Sequence, residues 1–207
     1  VNAANAIVSF GGEDAAGLHN DVWQGRQPVG FSFGSNFTPE FIWEEVCTSA
    51  TCIDSKPSAR AHHATVESRT DGGTYIFGGI LADDTYSDEL WKITFTDGLW
   101  NWTLVCGGSS GCSGPSGRER AVVFDNTEAI VVFGGRNDGG ILEDTWSFDT
   151  DTASWTEITC QGIGCNLLPT ARYGAETATS YGNSSLVFMA GGETDGGLSD
   201  EIWYASL

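Results

Sequence analysis

Short apolar runs alternate along this chain with glycine-rich polar turns, and one such unit recurs four times. Ile7-Val8-Ser9-Phe10, Thr74-Tyr75-Ile76-Phe77, Ile130-Val131-Val132-Phe133 and Leu186-Val187-Phe188-Met189-Ala190 each run into a Gly-Gly pair, and the second glycine precedes Trp23, Trp91, Trp146 or Trp203 by 11, 12, 11 and 11 residues. Apolar runs of this length, closed by glycine and lacking a helical period, predict strands buried on both faces. A second aromatic strand follows the first three tryptophans: Ile42-Trp43-Glu44-Glu45-Val46, Trp102-Thr103-Leu104-Val105 and Trp155-Thr156-Glu157-Ile158. Next come a two-cysteine loop and then Pro57-Ser58-Ala59-Arg60, Pro115-Ser116-Gly117-Arg118 or Pro169-Thr170-Ala171-Arg172. A further strand leads to a turn at Asp71-Gly72-Gly73, Asp125-Asn126 or Gly182-Asn183, residues suited to tight reversal. Each unit therefore holds four strands: A after Pro-x-x-Arg, B ending in Gly-Gly, C with the first tryptophan and D with the second. A period of roughly 50 to 65 residues built from short strands belongs to propellers and solenoids, whose units bury their faces only by stacking.

These co-phased marks resemble the kelch family, whose repeat joins an apolar run, a Gly-Gly pair, a spaced aromatic in the third strand and a tryptophan in the fourth. The resemblance covers almost the whole chain and implies an all-β propeller of about four antiparallel blades, with repeats near 1–56, 57–114, 115–168 and 169–207. The first repeat lacks strand A and the last lacks strand D. The chain thus reads as part of a larger propeller or as one completed by a partner chain, because an open edge exposes backbone and apolar surface. Trp23, Trp91, Trp146 and Trp203 are expected to fill the wedges between blades.

A chain of 207 residues can bury roughly 70% of its unfolded surface, enough for one packed domain without a cofactor. No apolar stretch approaches the ~20 residues that cross a bilayer, so membrane insertion is not expected. Val1-Asn2-Ala3-Ala4-Asn5 does not read as a signal peptide. Nine basic residues against 28 acidic ones give a net charge of -19, which removes the electrostatic footprint for nucleic acid and makes any charged partner a cationic one.

Six cysteines fall as Cys47 and Cys52, Cys106 and Cys112, and Cys160 and Cys165, each pair between strand D and the Pro-x-x-Arg. Equivalent placement in three repeats predicts three local disulfides and hence an oxidising compartment, extracellular or at the cell surface. Zinc is disfavoured because the pairs lie on different blades and His19, His62 and His63 do not accompany them. Sequons at Asn36, Asn101 and Asn183 point to the same compartment. They sit near A-to-B turns, C-to-D connections or the start of a D strand, on one face of the disc. The opposite face carries the disulfide loops and the acidic B-to-C loops.

That second face is the candidate binding surface, with Asp83, Asp84, Tyr86, Asp138, Glu193 and Asp195 as its contact residues. Calcium is the metal such oxygens would suit, yet no loop has the Asp-x-[Asp/Asn]-x-[Asp/Asn]-Gly pattern, so no cofactor is expected. The acidic pairs Asp88-Glu89, Glu143-Asp144 and Asp200-Glu201 are expected to cap loop N–H groups. The resemblance also brings in secreted copper oxidases with a kelch propeller. They need Tyr and His ligands, whereas His62 and His63, read as neighbours on one strand, would point to opposite faces. With no catalytic constellation in view, the chain reads as a non-catalytic extracellular structural or interaction module of a cell-surface or appendage assembly. It would bind a protein partner or neighbouring subunit through its loops or open blade edges. The alternative is a carbohydrate-binding or substrate-docking propeller of a secreted enzyme; Tyr86 is the one aromatic its B-to-C loops offer as a sugar platform.

Overall fold

A computed structural model of the chain describes residues 6–26, 42–48, 51–52, 56–108, 110–159, 169–180 and 186–206. The first sheet holds β1 (Ala6–Asp14), β2 (Gly17–Arg26) and β3 (Ile42–Glu45) in that order. The second repeat contributes β4 (Arg60–Ala61), β5 (Ala64–Glu67), β6 (Thr74–Phe77), β7 (Ile80–Leu81), β8 (Leu90–Thr96) and β9 (Leu99–Cys106). The third contributes β10 (Val122–Asp125), β11 (Ile130–Phe133), β12 (Arg136–Asn137), β13 (Gly140–Ile141), β14 (Thr145–Asp149) and β15 (Ser154–Glu157). The last contributes β16 (Glu176–Ser180), β17 (Leu186–Ala190), β18 (Glu193–Thr194), β19 (Gly197–Leu198) and β20 (Ile202–Ser206).

Three further sheets follow the first, ordered β5-β6-β8-β9, β10-β11-β14-β15 and β16-β17-β20, every neighbouring pair antiparallel. The remaining two-residue strands form small ladders, β4 with β7, β12 with β13 and β18 with β19. The fold is thus the all-β, up-and-down bladed architecture expected, and among the described residues its sheets do not close into a ring.

Burial explains the strand sequences. β11 is buried at all four positions because sheets lie on both its faces, and each fully buried aliphatic side chain stabilises the fold by about 1.5–3 kcal/mol. Val22, Val46, Ile76, Ile93, Trp100 and Trp102 form the core between the first two sheets. Phe77, Leu90, Val123, Ile130, Val132 and Phe148 fill the second wedge, and Val122, Phe133, Ala175 and Met189 the third.

As expected, C-strand tryptophans reach the wedges: Trp91 and Trp203 pack, partly buried, against the first and third wedge cores. The D-strand rings share that work: Trp102 lies 5.0 Å from Phe10 of the preceding sheet, and Trp155 lies 5.6 Å from Phe77. The C-strand tryptophans are only partly covered, and Trp23 is 38% exposed.

Glycine is required where sheets meet. Gly79 has φ +97°, and a Cβ there would stand 2.7 Å from the Ala61 carbonyl oxygen. Its N–H donates to the Arg118 carbonyl of the next sheet at 2.9 Å, and Gly135 N–H donates likewise to the Arg172 carbonyl at 2.9 Å. The Gly-Gly pair is therefore the seam between successive sheets.

Candidate functional site

The loop face is built on one motif repeated three times. Arg60, Arg118 and Arg172 have fully buried side chains. Each guanidinium donates to the carbonyl of the first glycine of its own sheet: Arg60 to Gly78 at 3.1 Å, Arg118 to Gly134 at 2.9 Å and Arg172 to Gly191 at 3.0 Å. Each also pairs with the carboxylate two residues before the C-strand tryptophan, Glu89 at 2.6 Å, Asp144 at 2.5 Å and Glu201 at 2.6 Å. That same carboxylate accepts the indole N–H, from Trp91 at 2.8 Å, Trp146 at 2.8 Å and Trp203 at 3.0 Å.

The second acid of each pair is thus a salt-bridge partner, which corrects the expected capping role. A buried cation needs a charged acceptor far more than a loop amide needs a cap. Backbone capping survives at Asp88, which accepts the Gly108 N–H at 3.0 Å. Burial alone would raise the Glu89 carboxyl, but hydrogen bonds from Arg60 and then Trp91 outweigh it and hold it below the ordinary carboxylate range.

These anchors set the start of each A strand. Two residues after each arginine, His62 (φ 56°), Arg120 (φ 51°) and Gly174 (φ 66°) adopt left-handed backbone. Arg120 N–H donates to the His62 carbonyl at 2.8 Å, and Gly174 N–H to the Arg120 carbonyl at 2.9 Å. His62 is therefore a turn residue and not a strand neighbour of His63, which overturns the opposite-faces expectation. The starts of β5, β10 and β16 enclose a cavity of about 360 Å³ lined by His62, His63, Arg120, Glu176 and Thr177 among others. Burial, then the charges of Arg60 and His62, lower the His63 imidazole to about 4.

Glu119, 2% exposed, is the hub of a network across this face. It accepts from Arg136 Nε at 2.6 Å and lies 2.6 Å from His62 Nδ1. Arg120 Nη2 stands 3.0 Å from His62 Nε2. A carboxylate can only accept, so the proton between His62 and Glu119 belongs to Nδ1, while Nε2 faces both Arg120 and the Glu13 carboxylate at 3.4 Å. Burial by itself would raise the Glu119 carboxyl; the Arg136 and His62 hydrogen bonds bring it below its ordinary value.

Arg136 in turn lies 4.5 Å over the Tyr173 ring, a cation–π arrangement. With its charge answered by Glu119, it floors an open groove of about 530 Å³ lined by Tyr86, Arg136, Asn137, Gly140, Ile141, Tyr173, Glu193, Thr194 and Asp195.

Of the six residues expected on this face, the groove gathers Tyr86, Glu193 and Asp195. Asp83 is instead engaged in its own turn, accepting from the Thr85 N–H and hydroxyl, and Asp84 follows it in left-handed backbone. Asp138 is exposed at the β12–β13 turn. Sequence reasoning missed Tyr173, Arg136, Glu119 and Arg120. The only signal for them was position, one or two residues after a repeat arginine or directly after a Gly-Gly pair.

Disulfides join Cys47 to Cys52 and Cys106 to Cys112, with Cα atoms 5.0 and 5.1 Å apart. Cys160 and Cys165 lie outside the described residues, as do Asn36 and Asn183. Asn101 lies in β9 just after the β8–β9 turn, its amide donating to the Leu99 carbonyl at 3.3 Å. Among the described residues no group of three His, Cys, Asp or Glu side chains could hold a metal, and no helix is long and apolar enough to cross a membrane.

Comparison with known proteins agrees with this geometry. The KLHDC2/KLHL20/DRC7 Kelch-repeats domain matches residues 37–207. Host cell factor homolog hcf-1 of Caenorhabditis elegans is 26% identical over 76% of this chain and 20% of its own length. Multiple epidermal growth factor-like domains protein 8 of Rattus norvegicus is 26% identical over 79% of this chain and 6% of its own. Tip elongation aberrant protein 3 of Schizosaccharomyces pombe is 34% identical over 76% and 15%. The chain spans a fifth or less of each of these relatives. Repeating arginine, paired glycines and spaced tryptophan, together with the match over most of the sequence, place the chain in the kelch-repeat family.

Proposed function

We propose that this chain is a non-catalytic protein-interaction module of an extracellular or cell-surface assembly, and that it docks its partner on the loop face. One observation carries the reading: the groove around Tyr86, Arg136 and Tyr173 is preformed on three sheets, and the cation that floors it is already paired. Glu193 and Asp195 on its rim, in a protein of net charge -19, favour a partner segment bearing lysine or arginine. The two disulfides support an oxidising compartment, and occupied sequons on the opposite side would keep that face clear of the partner.

Capture of partners by the intact protein tests this. Tyr86→Ala with Asp195→Asn should lose the specific partners, whereas Asp97→Asn at the distant β8–β9 turn should keep them. Retention of every partner by the groove variant would sink the proposal.

A second reading has one observation in its favour. Tyr173 gives the groove a second ring beside Asn137 and Asp195, the combination a sugar site uses. A glycan array separates the two, since saturable glycan binding lost in Tyr86→Ala would favour the carbohydrate-docking alternative.

A further inference from the structure

Three repeats meet at His62. Its Nδ1 lies 2.6 Å from Glu119 Oε2 of the third repeat, while its Nε2 lies 3.0 Å from Arg120 Nη2 and 3.4 Å from Glu13 Oε1 of the first repeat. The two neighbours of Nε2 make incompatible demands. Arginine only donates, so it needs a bare Nε2; a carboxylate only accepts, so it needs Nε2 to carry a proton. The junction therefore has two hydrogen-bonded states that differ by one proton.

The backbone holds the ring at this place. His62 has left-handed backbone (φ 56°) and its carbonyl accepts the Arg120 N–H at 2.8 Å. Glu13 directly follows a Gly-Gly pair, the position from which Arg136 reaches Tyr173 of the next repeat. At that later seam Gly174 stands where His62 stands, counted from the repeat arginines, and has no side chain to make such a choice. The Glu13, His62 and Arg120 side chains are 58%, 29% and 41% accessible, so protons reach them from solvent. Other charges nearby are committed. Glu119 binds Arg136 and is held below its ordinary carboxylate value, so it stays charged in both states. Arg60 pairs with Glu89, and Asp14 pairs with His19 on the same hairpin as Glu13. Glu176 borders the cavity that His62 and Arg120 share. Burial holds the neighbouring His63 imidazole at about 4, well apart from an ordinary histidine.

We propose that His62 is a proton-operated latch between repeats. Neutral, its Nε2 accepts from Arg120. Protonated, it releases Arg120 and donates to Glu13, so that the imidazolium bridges Glu13 and Glu119 and ties the β1–β2 hairpin to the third repeat. Histidine is the side chain whose ordinary charge change falls between pH 5 and 8, and a charge gained at such a junction acts by exchanging one partner for another. The sign follows from the partners: protonation gains a second carboxylate and gives up a guanidinium, so acid tightens the hold on the first sheet. The latch rests on contacts between repeats and stands whether or not the loop groove docks a partner.

The test follows the imidazole nitrogen-15 resonances of the intact protein from about pH 8 to about pH 5. At the alkaline end His62 should have Nδ1 protonated and Nε2 bare, and Nε2 should gain its proton as pH falls. Glu13→Gln removes the partner of the charged state and should move that step to lower pH. Arg120→Gln removes the partner of the neutral state and should move it to higher pH, each shift being about half a unit or more. Hydrogen exchange, corrected for the intrinsic rate at each pH, should show protection of residues 13–18 rising at least about threefold on acidification and staying flat in His62→Gln. Circular dichroism checks that these exposed substitutions keep the fold. The proposal is overturned if either substitution leaves the step unmoved or shifts it the other way, if neutral His62 carries its proton on Nε2, or if hairpin protection does not follow the step.

Discussion

Arg60, Arg118 and Arg172 are the largest fully buried side chains among the described residues. A cation in such a place persists only because every donor is met, and here a backbone carbonyl, a Ser or Thr oxygen and a carboxylate meet them. Arg118→Met should therefore cost about 3 kcal/mol in denaturant unfolding, at the lower end for a broken buried pair. Arg172→Met should cost less, because the Glu201 side chain is 49% exposed and can rehydrate where Asp144, at 27%, cannot do so as fully. His63 makes a different prediction. Its imidazole titrates near 4 in the folded protein against an ordinary 6.5, so the unfolded chain takes up the proton first. Above about pH 6.5 the residue is neutral in both states and costs nothing. As pH falls from about 6.5 to about 4, stability should drop and then level off, and His63→Gln should flatten that part of a urea-midpoint profile. Much at this scale was legible beforehand: Pro-x-x-Arg and the acid-x-Trp spacing stand in the sequence. What joins them was not, because the salt bridge spans 29 residues in the case of Arg60 and Glu89, and periodicity carries no sign of a side chain's partner.

At the scale of the element, the strand order followed from alternation and turn chemistry, and the glycine seams followed from their phase. Gly79 shows why. An alanine there would meet both a positive φ and the Ala61 carbonyl, so Gly79→Ala should lower stability by more than about 1 kcal/mol. Gly12, with φ +102° and nothing within 4 Å of where a methyl group would stand, should bear the same change at the backbone penalty alone. A pair of thermal melts, ranked Gly12→Ala above Gly79→Ala, checks this. The roles of the two tryptophan sets were less legible. C-strand and D-strand tryptophans are the same residue type, and hydropathy does not foretell that Trp155, on the edge strand β15, meets Phe77 while Trp146, one strand in, donates to Asp144. The groove was hidden for a related reason. Tyr173 follows Arg172 where the other repeats have Ala61 and Glu119, so no recurrence marked it out, and its meeting with Arg136 is a product of sheets three and four lying side by side.

For the whole molecule, a charge of -19 on 207 residues sets self-repulsion against the compact state. Raising sodium chloride from about 10 to about 150 mM should shorten the Debye length from roughly 30 to roughly 8 Å and raise the thermal midpoint. A midpoint that falls over that range would show that the paired arginines outweigh the repulsion. Each repeat arginine has a second consequence at this scale. Arg118 clasps its own sheet with its guanidinium while its carbonyl holds the Gly79 N–H of the sheet before, and Arg172 repeats the arrangement with Gly135. Under tension along the chain, one sheet cannot peel away without straining the arginine that clamps its neighbour. The second and third sheets should therefore yield together, and a force trace that pulls the chain from its two ends should show them giving way in a single rupture.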